Sequence, residues 1–214
     1  MNRRDWVLAS TSLAGLAGLG ALPLAARAQG GLQEGRDYKR VESPVPVADG
    51  RVEVVEFFGY WCPHCNAFEP ALDAWAKKLP QQVTFRRIPV AFTPGQEPLQ
   101  RLYYAIEAMG QVETLHKKVF AALHAERKRL NTEGDILDWA KTQGVDTAKL
   151  GDTMKSFAIA TKLRQSKQLA DGYRIEGVPT LGIQGRFMTS PSIAGSAERA
   201  LAVADALIAQ SRKG

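Results

Sequence analysis

A chain of 214 residues with 45% hydrophobic residues can bury one good core, and 23% charged residues of both signs leave a net charge of only +6. The basic residues are scattered among acidic ones along helical-looking stretches, a solvated surface rather than a nucleic-acid footprint. Two cysteines in the whole chain exclude a scaffold stapled by several disulfides, and no internal repeat or low-complexity tract is visible.

The N-terminus begins with MNRRDW, basic through Arg3 and Arg4, ahead of an apolar run rich in Ala, Gly and Leu that ends at Ala26-Arg27-Ala28. This pattern predicts an export signal over residues 1–28, cleaved after Ala28. Export follows a twin-arginine-like or the general secretory route, and the periplasm is the expected compartment. Its removal takes Arg3, Arg4, Arg27 and Asp5 with it and lowers the net charge by two.

Tyr38–Val41 and Arg51–Phe58 read as strands, the second β-branched and aromatic enough to be buried. Gly59-Tyr60-Trp61 makes a turn, and Phe68, Ala71, Leu72 and Trp75 then recur at helical spacing, with Pro63 suited to the first turn. Val83–Ala91 predicts the next strand. A helical stretch opens with Leu99, Leu102, Tyr103, Ile106 and Met109 and lasts to about Asp171. It is broken near Gly110, at Asn131-Thr132 with Asp135, and at Gly144 before Asp146. Thr180–Ile183 and Arg186–Thr189, joined by Gln184-Gly185, read as a hairpin. Ala197, Ala200, Leu201, Ala204, Leu207 and Ile208 mark one face of a last amphipathic helix.

Cys62 and Cys65 stand at the strand-to-helix junction, in EFFGYWCPHCNAFEP. In an oxidising compartment they can bridge only each other, and so short a loop removes little entropy from the unfolded chain, which makes a poor staple. A metal site lacks ligands. His64 lies between the cysteines, and His116 and His124 fall eight residues apart in a helical segment, where they read as ordinary surface or core residues. A redox-active dithiol fits best. A helix beginning at Cys62 surrounds its sulfur with unpaired backbone N–H groups and the positive end of the helix dipole, which favours thiolate. Cys65, one turn further in, is the shielded resolving thiol. His64 and Pro63 set how far the thiolate is stabilised, and stabilising it makes the disulfide a stronger oxidant.

Glu56-Phe57-Phe58 followed by Cys62-Pro63-His64-Cys65 resembles the active-site strand and helix of the DsbA family of periplasmic thiol:disulfide oxidoreductases. Gly177-Val178-Pro179-Thr180 resembles that family's cis-proline loop. The resemblance spans nearly the whole mature chain and implies an α/β protein, a thioredoxin fold with an inserted helical subdomain. Residues 29–94 and 173–214 would form the thioredoxin-like domain, and 95–172 the helical insertion. It implies that Val178 and Pro179 hold the substrate chain, with Trp61 and Tyr60 flanking the groove. Glu56 would assist proton transfer with the buried thiol. The family's basic partner for that acid is a lysine on the following strand, where this chain offers Arg86 and Arg87, so the pairing stays unassigned.

By the same resemblance the substrates are newly exported cysteine-containing proteins, and the partner that restores the disulfide is a membrane quinone reductase of the DsbB type. The protein is expected to be a monomer with no metal and no cofactor beyond the Cys62–Cys65 disulfide. The alternatives are a reductase or isomerase, which usually carries a separate dimerisation domain, and a non-catalytic peptide-binding module. Residues 29–50 leave no room for such a domain, and an intact Cys-Pro-His-Cys argues against a dead site.

Overall fold

The computed structural model describes residues 31–47 and 50–212. The predicted export signal lies outside them. Among the described residues no helix is long and apolar enough to cross a membrane.

The strands are β1 (Lys39–Arg40), β2 (Val52–Phe58), β3 (Val83–Pro89), β4 (Thr180–Ile183) and β5 (Phe187–Thr189). They form one sheet in the order β1-β5-β4-β2-β3, with β2 and β3 parallel and the other pairs antiparallel. β2 is an interior strand between β4 and β3, and its Val54, Val55, Phe57 and Phe58 are fully buried. Alternate residues of a strand face opposite ways. Val52 and Val54 pack with Phe68 and Leu72 of α1 (Pro63–Ala76) and with Ala204 and Leu207 of the last helix, whereas Val55 and Phe57 pack with Ile88 and Tyr173. Glu56 shares the face of Val54 and therefore looks toward α1.

Between β3 and β4 the chain forms a 3₁₀ turn at Pro94–Gln96 and five helices. These are α2 (Glu97–Ala108), α3 (Val112–His124), α4 (Glu133–Thr142), α5 (Thr147–Lys155) and α6 (Phe157–Gly172). Their core joins Leu102, Ile106, Val119, Phe120, Ile136 and Leu150 to Phe58, Tyr60, Cys62 and Cys65, so the helices pack directly on the cysteine turn. A short α7 (Pro191–Ala194) and α8 (Ala197–Ser211) complete the fold. Each fully buried Leu or Ile in these faces contributes about 1.5–3 kcal/mol relative to an exposed one.

The fold class is the one expected, and the differences are local. The first strand shortens to Lys39–Arg40 because only these residues pair with β5. The breaks at Gly110, at Thr132 with its reciprocal Asp135 cap, and at Gly144 before the Asp146 cap all stand. One break escaped the sequence reading. Ser156 ends α5 and caps α6, its Oγ accepting from Ile159 N, and no glycine or proline marks the place. Before β1, buried Asp37 accepts hydrogen bonds from Gln33 N and Arg199 Nη2, which hold its carboxyl down at about 2 and tie the N-terminal segment to α8.

Candidate active site

β2 delivers the chain into the turn Gly59-Tyr60-Trp61, closed by Cys62 N donating to Gly59 O at 3.0 Å. A Cβ on Gly59 would stand 2.4 Å from Trp61 Nε1, so the indole folds over this position only because it is glycine. Cys62 is the N-cap of α1, with extended backbone, and Pro63 occupies the first helical turn, where its missing N–H costs nothing.

This placement governs both sulfurs. The Cys62 thiol is pulled down to about 6, chiefly because Cys65 donates a hydrogen bond to its thiolate, against the opposing effect of burial. The backbone N–H groups of Cys65 and His64 and the His64 side chain add to the effect. Cys65 is 1% exposed and pushed far above the ordinary thiol range by burial and by its hydrogen bond to Cys62. One sulfur is a thiolate at neutral pH and its neighbour a buried thiol, the asymmetry that thiol–disulfide exchange requires.

Val178 stands opposite. Its carbonyl oxygen lies 3.4 Å from Cys62 Sγ, where it can accept from the thiol only when that sulfur is protonated, and the Val178–Pro179 peptide bond is cis. Residues distant in sequence thus meet at the sulfur, with Thr180 Oγ1 bonded to Gly177 O beneath the loop. A cleft of 290 Å³ lies alongside, lined by exposed His64 with Phe68, Pro179, Pro191 and Ser196. Trp61 is half-buried, its Nε1 donating to Val90 O and its ring edge-on to Phe92, which is 46% exposed.

Tyr60 corrects the expectation that it flanks the groove. It is 1% exposed, enclosed by Phe58, Tyr103, His116 and Phe120, because the turn sends Trp61 outward and its neighbour into the helical core. Its hydroxyl bonds His116 Nδ1 at 2.7 Å, and its carbonyl oxygen accepts from His124 Nε2 at 2.7 Å. Both histidines of α3 therefore hold the residue two positions before Cys62.

Glu56 is 1% exposed, so it does not reach solvent at a strand end. Its basic partner is Arg87, directly across the β2–β3 register, with Nε 3.2 Å from Oε2. Arg86 points to the opposite face and pairs with Glu53. Arg87 is shared, since its Nη2 donates to Glu69 Oε1 at 2.8 Å. Burial pushes the Glu56 carboxyl up to about 8, with Arg87 opposing and Glu69 reinforcing the rise, and the Glu56 charge acts in turn on Cys65. Glu69 is a site residue that the sequence reading missed. A usable signal existed, because Cys65, Phe68, Glu69 and Leu72 are the buried residues of α1 at helical spacing. Among the described residues no group of three His, Cys, Asp or Glu side chains is placed to hold a metal.

A stability test follows. A carboxyl raised from an unfolded value of 4.5 to about 8 favours folding below pH 4.5, and that contribution is lost as pH rises toward 8. Glu56→Gln removes this slope. Urea unfolding should show a gain on the order of 2 kcal/mol at pH 8 and little change at pH 4.5. Equal pH slopes in the two proteins would refute the assignment.

Comparison with known proteins places this geometry in context. Residues 53–199 match the family described as the DSBA-like thioredoxin domain. The chain is 45% identical over 208 residues to the thiol:disulfide interchange protein DsbA of Bordetella pertussis, covering 95% of this chain and 97% of that protein. It is 40% identical to the protein of that name from Burkholderia cepacia, covering 82% of this chain and 84% of the relative. The crystal structure of Pseudomonas aeruginosa DsbA superposes with a TM-score of 0.81 at 39% identity, covering 84% of this chain and 94% of that one.

Proposed function

From its membership of the family of DSBA-like thioredoxin-domain proteins, to which this chain belongs, we propose that it is a dithiol oxidase acting in the periplasm on newly exported proteins. It is a thiol:disulfide oxidoreductase, and it acts on substrate proteins by thiol–disulfide exchange. The observation that carries the direction of transfer is the paired state of the sulfurs, Cys62 stabilised as thiolate and Cys65 buried as thiol.

The oxidised protein carries a Cys62–Cys65 disulfide and needs no other cofactor. A substrate thiolate attacks Cys62 Sγ, the S–S bond breaks, and Cys65 leaves with the electron pair and takes up a proton, for which Glu56 is the nearby acid. A second substrate thiolate attacks the substrate sulfur of the mixed disulfide and releases Cys62 as its stabilised thiolate. The substrate is oxidised by two electrons and the enzyme reduced by two. Val178 presents its backbone edge to the extended substrate chain, with Pro179 and Trp61 beside it and His64 at the helix start. A membrane quinone reductase of the DsbB type takes the electrons back, and the protein works as a monomer.

Lowering a thiol from 9 to about 6 is worth at most about 4 kcal/mol, or about 90 mV toward a more oxidising potential, and water screening reduces both. A redox titration against glutathione tests the reading. An oxidising midpoint supports the oxidase, a strongly reducing one favours the reductase, and absence of exchange leaves only a binding module.

The same titration carries a pH signature. Stabilisation of reduced Cys62 is full above pH 9 and lost as pH falls through about 6. Above pH 6 reduction takes up one proton, and below it two. The midpoint should therefore fall by about 30 mV per pH unit above the break and about 59 mV below it. The thiolate absorbance near 240 nm should disappear across the same pH.

A further inference from the structure

The buried charges beneath the cysteines do not end at Glu69. Glu69 Oε2 lies 3.3 Å from His116 Nε2, and His116 Nδ1 bonds the Tyr60 hydroxyl, so the series runs Glu56, Arg87, Glu69, His116, Tyr60. The contacts differ in quality. Arg87 with Glu69 and Tyr60 with His116 are aligned hydrogen bonds at 2.8 and 2.7 Å. Arg87 Nε against Glu56 Oε2 and His116 Nε2 against Glu69 Oε2 fall within ion-pair distance, yet Arg87 Nε, Glu56 Oε2 and His116 Nε2 lack a hydrogen-bond partner. One guanidinium thus serves two carboxylates, held firmly by one and loosely by the other.

The tautomer of His116 follows from its neighbours. Tyr60 is enclosed by rings, and the hydrogen-bond partner of its hydroxyl is His116 Nδ1, so it donates there. The ring proton is then on Nε2, where it faces a carboxylate instead of opposing it with a lone pair. We infer that His116 is a positioning residue for the proton chemistry at Cys65: its Nε2–H partly satisfies Glu69, leaves Arg87 free to face Glu56, and so governs how readily that acid releases its proton. The inference rests on the reading of Glu56 as the proton partner of Cys65.

The charged and titratable groups around His116 are Glu69 and Asp73 of α1, Arg87 of β3, Tyr60 of the turn and Tyr103 of α2. Burial lowers its own proton affinity against the pull of Glu69, so the neutral imidazole is the working form. Remove the Nε2–H and Glu69 draws harder on Arg87. Glu56 then loses part of its counter-charge and holds its proton more tightly.

Carbon-13 carboxyl shifts of labelled glutamate, with E56Q for assignment, read Glu56 directly in the full-length reduced protein. H116L should raise its titration midpoint by about half a pH unit or more, while H116Q, whose amide can still donate to Glu69 and accept from Tyr60, should leave it within about 0.2 of a unit. An unmoved midpoint in H116L overturns the inference, and so does an equal shift in H116Q, which would mark packing as the cause. Should H116L fail to fold, H116F keeps a ring in the same aromatic cage and withdraws the Nε2–H. Its midpoint should also rise, and a failure to rise overturns the inference. The pH profile of the rate at which glutathione reduces the Cys62–Cys65 disulfide in E56Q, where Cys65 leaves and takes up its proton, tests the underlying reading separately. An unchanged profile there removes Glu56 from the proton chemistry, whatever the His116 variants show.

Discussion

Replacing Cys65 with serine will convert the protein from a disulfide donor into a trap. Cys62 remains a thiolate at the helix N-cap, able to attack a disulfide of another protein. That S–S bond breaks, a mixed disulfide forms, and the molecule holds no second thiol to expel the adduct. Turnover falls to the uncatalysed background, while covalent adducts with disulfide-bearing proteins accumulate on a non-reducing gel and collapse when the sample is reduced. Serine at 62 should give neither turnover nor adducts, because the remaining thiol is 1% exposed and held protonated by its surroundings. Adducts of equal yield through either cysteine would overturn the division of labour between the two sulfurs.

Arg87→Leu will destabilise the fold by about 3–5 kcal/mol at pH 7, the cost of leaving buried charges without their partner. Glu56 and Glu69 both lie on the α1 side of β2, and Arg87 touches both. Against a total stability of about 5–15 kcal/mol this is a large fraction. The loss has a pH signature of definite sign. With the guanidinium gone Glu56 favours its neutral form still more strongly, so stability recovers as pH falls toward 4.5 and is lost as it rises. Adding Glu56→Gln should restore part of the deficit at pH 7. Urea unfolding of the single and double variants at two pH values decides it, and an unchanged midpoint for Arg87→Leu would show that the two acids do not depend on this cation.

The reactive centre was legible because its chemistry is local. Cys62, Pro63, His64 and Cys65 sit within one turn, and the strand before them predicts where the helix starts, so the thiolate's surroundings follow from backbone geometry. Val178-Pro179 became readable only beside the cysteine motif, since alone it is a common turn. Glu56 is an acid in a strand that otherwise reads as buried, but its partner depends on strand register, which a single sequence does not display. Once β2 and β3 are aligned, Arg87 falls opposite Glu56 and Arg86 falls on the other face.

Tyr60 and the two histidines mark where sequence reasoning stopped. Whether a tight turn sends its second or third residue inward depends on the packing of helices that arrive much later in the chain. An aromatic on either side of that choice looks alike in sequence. His116 and His124, eight residues apart, read as unremarkable positions on one helix. They meet at Tyr60, one at the hydroxyl and one at the carbonyl, because α3 lies across the cysteine turn. Glu69 was within reach, since the spacing of Cys65, Phe68 and Leu72 places it on the buried stripe of α1.

The interior place of β2, between β3 and β4, also sets when the molecule becomes competent. One of its edges is closed early by β3, but the other waits for β4, where Val54 meets Ile183. Until then an apolar strand stands with a bare edge, a template for pairing with foreign chains. Pairings so distant along the chain form slowly, because a long loop must close before they are rewarded. The same delay separates Cys62 from Val178, so a chain shortened before β4 has both thiols and nothing opposite them. A thiol:disulfide oxidoreductase is, until β4 and the chain beyond it have folded, itself an unfinished chain with two thiols.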